Sequence, residues 1–291
     1  MEVYQNLKKG ERGAWISIAA YILLTVVKIA VGYFFHSEAL MADGLNNGTD
    51  VIASIAVLVG LKISQRPPDQ DHHYGHFRAE TIASLIASLI MVMVGFEVLT
   101  EGAKSIINPK TESPDLIAAW TAIGSAIVMF SVYLFNVRLA KKIKSQALMA
   151  AAMDNRSDAY VSVGTFLGIL AAQFHIAWMD TVVAMIIGVL ICKTAWDIFK
   201  EAVHSLTDGF SEKELDKYKE TINNIPGVQS LEDIKARYVG STVYVDVVIK
   251  VHSNLNVVES HAICDEVERR LTEEFNITNV HVHIEPLKGD S

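Results

Sequence analysis

The sequence predicts an α-helical membrane protein with six transmembrane helices followed by a small cytoplasmic α/β domain. Three observations carry that expectation. Of the 291 residues 51% are hydrophobic, and these crowd into residues 14–200. Segment 116–135, "LIAAWTAIGSAIVMFSVYLF", runs without a single charge, long enough to cross a hydrocarbon core of about 30 Å. Past Asp208 the chain turns polar and acidic. From Gly209 onward nine Lys or Arg stand against fifteen Asp or Glu, a net of −6 within the whole chain's −8.

Around that central segment lie five further candidate spans, near 14–35, 39–62, 79–103, 147–173 and 178–199, several of them carrying ionisable residues. The polar start, "MEVYQNLKKGERG", predicts no cleavable signal peptide. Lys8, Lys9, Arg12, Lys62, Arg66, Arg78, Arg138, Lys141, Lys142 and Lys144 fall on the side shared by the N-terminus and the 2–3 and 4–5 connections. The opposite side offers Lys104 and Lys110. That excess predicts cytoplasmic N- and C-termini in a multi-pass protein of the cell (plasma or inner) membrane. Cys192 in the sixth span and Cys264 in the tail imply no disulfide framework.

The domain boundary is expected at 208, with a six-helix membrane domain over 1–208 and a tail domain over 209–291. The tail is long enough to fold alone. "SEKE" at 211–214 is a capping-box pattern opening a helix to about Asn224. "DIKARYV-GS-TVYVDVVIKV" reads as two strands joined at a Gly-Ser turn. Residues 257–275 are helical by periodicity, and "NVHVHIEP" is a short last strand. The order α-β-β-α-β predicts two packed layers. Its acidity argues against nucleic acid or an anionic lipid surface as partner.

Charged groups inside spans are expensive, so each needs a reason. Asp154 and Asp158 of "AAMDNRSDAY" lie four apart and point the same way on a helix. The second span holds Asp43, Asn46, Asn47 and Asp50, of which Asp43, Asn46 and Asp50 share a stripe at i, i+3, i+7. Small neighbours (Gly44, Gly48, Ala151, Ala152, Ser157) allow the two helices to approach closely. Face to face, they would surround a divalent cation with oxygens. Without a cation, paired carboxylates repel, and either an ion or protons relieve that repulsion. Arg156 is two residues from each acid and so points elsewhere, toward a carboxylate or cytoplasmic water; Lys28 in the first span is expected to snorkel or to pair similarly.

Two further clusters carry metal-ligating types. "PPDQDHHYGHFRAE" at 67–80 sets His72 and His76 four apart beside Asp69, Asp71 and His73, a set suited to a transition metal. In the tail, His281, His283 and Glu285 alternate along one strand and share a face, with His261 in the preceding helix and Glu232 just before the first strand.

Taken together, "GTDVIAS" in the second span, "DQDHHYGHFRAE" before the third and "DNRSD" in the fifth resemble the cation diffusion facilitator family over nearly the whole chain. The resemblance implies a divalent metal cation/proton antiporter that acts as a homodimer and is not an enzyme, with a ferredoxin- or metallochaperone-like tail. It places the transport site at Asn46, Asp50, Asp154 and Asp158, whereas spacing alone also allows Asp43 with Asn47. It implies a loop metal site at Asp69, His72 and His76, and a tail site built from His261, His283, Glu285 and Glu232. Val248 and Glu232 depart from histidines found in some members' tails. Arg78 and Asp208 match a charge interlock between membrane domain and tail.

Zinc-transporting members use a histidine at one of the four transport positions, and this chain has none there. Oxygen donors suit manganese, magnesium and calcium, whereas imidazole suits zinc and copper. The expected substrate is therefore Mn2+, with Zn2+, Fe2+, Co2+ or Cd2+ as alternatives and H+ as coupling ion, and with no prosthetic group. A zinc or iron exporter of the same build is the nearest alternative. A membrane-anchored metal sensor is the alternative of another class, and the carboxylates on two spans weigh against it.

Overall fold

A computed structural model of the chain describes residues 2–35, 38–107, 116–173, 177–277 and 279–287. It divides into two compact units, Met1–Ala202 and Val203–Ser291. Six long helices make the first unit, the last ending four residues past Ala202: α1 (Glu2–Phe34), α2 (Glu38–Ser64), α3 (Arg78–Ile107), α4 (Leu116–Ile143), α5 (Gln146–Gln173) and α6 (Ala177–Leu206).

Stretches Asn6–Phe34, Asp43–Ser64, Arg78–Lys104 and Leu116–Ile143 are long and apolar enough to cross a membrane. α5 and α6 have 28 and 30 residues; the charges of Asp154, Arg156 and Asp158 dilute the hydropathy of α5. The unit is inverted relative to a water-soluble bundle. Val26, Met93, Trp120 and Ile127 are more than half exposed, while Ser17, Asn47, Asp50, Asn136, Asn155 and Ser162 are buried. Such a distribution suits a solvent of lipid rather than water.

α1 begins about three turns before the expected 14, because Leu7, Gly10 and Ala14 turn inward on one face and bind the polar start to the bundle. At Gly13 an added Cβ would lie 2.7 Å from both Asn136 Oδ1 and Leu148 Cδ1, so α1 crosses α4 and α5 almost backbone to side chain. At Gly60 an added Cβ would lie 2.3 Å from the Cβ of Ala83, which sets α2 against α3. Small residues permit both approaches.

The second unit contains α7 (Glu212–Asn223), β1 (Ser230–Val239), β2 (Thr242–Val251), α8 (Val257–Phe275) and β3 (Asn279–Pro286). The sheet order is β1-β2-β3, antiparallel then parallel. The parallel step follows from the α8 crossover. Gly240, at φ 60°, stands first in the two-residue turn, where a II′ hairpin requires positive φ. Val245, Val247, Ile249 and Val251 alternate inward from β2 against Tyr218 and Ile222 of α7 and Val267 and Leu271 of α8. The other sheet face carries Asp246, His281 and His283 in the open.

The capping box expected at "SEKE" does not form. Ser211 is the N-cap of α7 but makes no side-chain cap bond, and Glu214 instead accepts from the Tyr238 hydroxyl at 2.7 Å. A reciprocal box closes α8, where Asn256 Oδ1 accepts from the Glu259 N–H and Glu259 Oε2 from the Asn256 N–H, both at 3.0 Å.

Candidate metal centre

Three helices supply the buried polar centre of the first unit. α1 contributes Ser17, Tyr21 and Lys28, α2 Asp43, Asn46, Asn47 and Asp50, and α5 Asp154, Asn155, Asp158 and Ser162. Asp50, Asp154 and Asp158 are all buried, and each offers a carboxylate oxygen within 4.8 Å of the others. Like charges about 4 Å apart repel by roughly 4 kcal/mol at an effective dielectric near 20. Three acids so placed call for a cation or for protons.

The helix spacing leaves two pairs open on α2, and Lys28 separates them. Its ammonium lies 2.8 Å from Asp43 Oδ2, 2.7 Å from Asn47 Oδ1 and 3.1 Å from Ser162 Oγ. Asp43 and Asn47 thus serve the lysine. Asp50 turns to the α5 acids, with Asn46 Nδ2 3.5 Å from its Oδ2. Lys28 does not snorkel, being wholly buried. Arg156 is half-buried, its Nη2 donates to Thr194 Oγ1 at 3.1 Å, and its guanidinium sits 5.9 Å from the ring centres of both Tyr133 and Tyr160.

Asp69, His72 and His76 form the second group with ligand atoms within 4.8 Å. They precede α3 in a turn, not on a helix face, and Gly75 at φ 77° lets the chain double back. Asp69 Oδ1 lies 3.2 Å from His72 Nδ1 and its Oδ2 3.3 Å from His76 Nε2. The backbone N–H of His72 donates to Asp69 Oδ1 at 2.8 Å. That bond leads the causes holding the exposed carboxyl below its ordinary value, so it stays an anion. One carboxylate and two imidazoles make a donor set for a borderline transition metal.

The cation efflux transmembrane domain family matches residues 14–207, and the cytoplasmic domain family of cation efflux proteins matches 210–287. The chain belongs to the cation efflux family. This cation efflux protein is similar to the manganese efflux system protein MneS of Bacillus subtilis (strain 168), with 65% identity over 288 residues and 99% of each chain covered. It is also similar to the uncharacterized transporter YdbO of the same strain, 59% identical over 286 residues, covering 98% of this chain and 99% of that one. Among solved structures, the MamM CTD in its copper form shares 29% identity over 28% of this chain and 80% of that chain, at a TM-score of 0.26.

Within one chain of the cation efflux protein the tail candidates are spread out. His261 Nδ1 pairs with Asp265 at 3.1 Å on the exposed side of α8. Glu232 is bonded by Lys250, and Glu285 lies opposite that same lysine in the sheet register. His281 and His283 stand exposed on β3. Among the described residues these groups do not converge as the first two clusters do. Arg78 opens α3, and Asp208 lies 3.9 Å from Arg237 Nη1 within the second unit.

Several residues of the centre gave no motif signal. Tyr21 is wholly buried and hydrogen-bonds to both Asp154, at 3.2 Å, and Asp158. Asn155, inside the quoted "DNRSD", donates to the Tyr21 hydroxyl at 3.0 Å. Ser17, Tyr21 and Lys28 recur at i, i+4, i+11, so a polar stripe on the otherwise apolar α1 was the available clue.

Proposed function

We propose that this protein exports divalent metal cations, chiefly manganese, in exchange for protons by alternating access at Asn46, Asp50, Asp154 and Asp158. The observation that carries the reading is the convergence of Asp50, Asp154 and Asp158, from two different helices, within 4.8 Å in a buried interior. Oxygen donors without imidazole favour a hard cation such as manganese, and similarity to a manganese efflux protein supports the same choice.

Cytoplasmic metal displaces protons from the three acids and cancels their mutual repulsion, which lets the helices rock outward. Protons from the far side then compete for the same oxygens and release the ion. Asn46 does not titrate, so it tunes coordination and not proton count. A ligand moves such an equilibrium only by its differential affinity for the two states. The proposal includes six spans, cytoplasmic termini and residence in the cell membrane. It also includes homodimerisation through residues 209–291, metal at Asp69, His72 and His76, tail metal involving His261, His283, Glu285 and Glu232, and the Arg78–Asp208 interlock.

Everted vesicles loaded with the intact protein test the centre. Manganese uptake driven by an imposed pH gradient should fall to near zero in Asp154→Ala, and undiminished exchange in that variant would refute the site.

A further inference from the structure

We infer that Tyr21 on α1 is a positioning residue that holds Asp154 and Asp158 to one metal-facing oxygen each, and so selects manganese against calcium. The inference rests on the transport-site reading above. A chain of hydrogen bonds lies behind the acids. Asn155 Oδ1 accepts from Ser17 Oγ and from Asn136 Nδ2, both at 3.0 Å. With its oxygen so engaged, the amide must turn its Nδ2 to the Tyr21 hydroxyl oxygen, and it donates there at 3.0 Å. The phenolic proton is therefore directed to the other side, where it is shared between Asp158 Oδ2 and Asp154 Oδ2, the latter at 3.2 Å.

Each α5 acid thus has its Oδ2 within reach of one α1 hydroxyl, while its Oδ1 takes no bond from it. Asp50 is held alike: its Oδ2 lies 3.4 Å from Asn47 Nδ2 and 3.5 Å from Asn46 Nδ2. All three acids are set for monodentate coordination. Calcium takes six to eight oxygens, commonly through bidentate carboxylates, whereas smaller cations keep fewer, shorter bonds and retain water. A centre that denies the second oxygen of each acid penalises calcium most. Removing the phenolic oxygen takes away the one donor that the two Oδ2 atoms share.

The test uses the purified full-length chain, with Mn2+ binding followed by electron paramagnetic resonance and Ca2+ as competitor, in a His72→Ala, His261→Ala, His283→Ala background that disables the loop and tail candidates. In Tyr21→Phe the preference for Mn2+ over Ca2+ should fall about tenfold or more, the scale on which partners behind a metal ligand act, and a ratio unchanged within about twofold overturns the inference. A second measurement needs no Tyr21 variant. The Mn2+-induced infrared difference spectrum of the wild type should show the wide separation of carboxylate stretches that marks monodentate binding, and a bidentate signature that disappears in Asp154→Ala overturns the inference. If Asp154→Ala binds Mn2+ as the wild type does, the transport-site reading itself fails, and the two failures are thereby told apart.

Discussion

Lys28 and Asp43 form an ion pair 2.8 Å across whose side chains are 0% and 4% exposed. It joins α1 to α2 about two turns along α2 from Asp50, with Asn47 and Ser162 completing the ammonium's bonds. A pair of this kind contributes little over an apolar replacement, but removing one partner strands a buried charge. Lys28→Met should therefore destabilise the protein by about 3–5 kcal/mol, read as thermal denaturation of the purified chain. Lys28→Met with Asp43→Leu should recover part of the loss. A single variant as stable as the wild type would show that Asp43 finds another partner.

Replacing one carboxylate by imidazole tests the hardness of the donor set. Asp154→His puts a nitrogen beside Asp50 and Asp158, and nitrogen favours zinc over manganese. The ratio of Zn2+ to Mn2+ transport in proteoliposomes should rise by roughly tenfold, a typical response to a change in a metal's ligand sphere. An unchanged metal profile would count against oxygen donors as the basis of selectivity.

Close approach of α2 and α3 at Gly60 leaves no room for a methyl group, since a Cβ there would lie 2.3 Å from that of Ala83 and 3.0 Å from the Ala79 carbonyl oxygen. Gly60→Ala should cost about 1–3 kcal/mol by overpacking. Ala83→Gly in the same chain should return most of it. Additive losses in the double variant would mean that the backbone at Ala79, and not the Ala83 methyl, sets the spacing.

In the tail, Glu266 accepts from Arg269 and Arg270, and these bonds bring its carboxyl down to about 2 from an ordinary 4.5. A depressed carboxyl contributes stability that is present above the unfolded value and is lost as pH falls through the folded one. Acid titration of residues 209–291, followed by circular dichroism, should show α8 weakening between about 4.5 and about 2, the interval set by the two values of Glu266. Glu266→Gln should flatten the curve over that interval. The surface pairs are exposed to water, so the change is one of slope and not of fold.

Much of this architecture follows from local pattern. Uncharged length placed α4, the Gly-Ser turn placed β1 and β2, and a four-residue interval put Asp154 and Asp158 on one face of α5. Such features depend on the geometry of a single helix or strand, and neighbouring residues suffice to read them. The cap of α7 shows where this stops, because Glu214 is drawn off by Tyr238, a residue 24 positions away.

The centre divides in the same way. Sequence spacing established that α2 carries two candidate oxygen pairs, but it was silent on which pair meets α5. That choice depends on how far each helix is rotated about its axis, and rotation is set by packing across helices. Lys28 takes Asp43 and Asn47, which leaves Asp50 to Asp154 and Asp158. Tyr21 and Asn155 enter for the same reason: a hydrogen bond spanning 137 positions, from Tyr21 to Asp158, has no periodicity to announce it and exists only once α1 lies against α5.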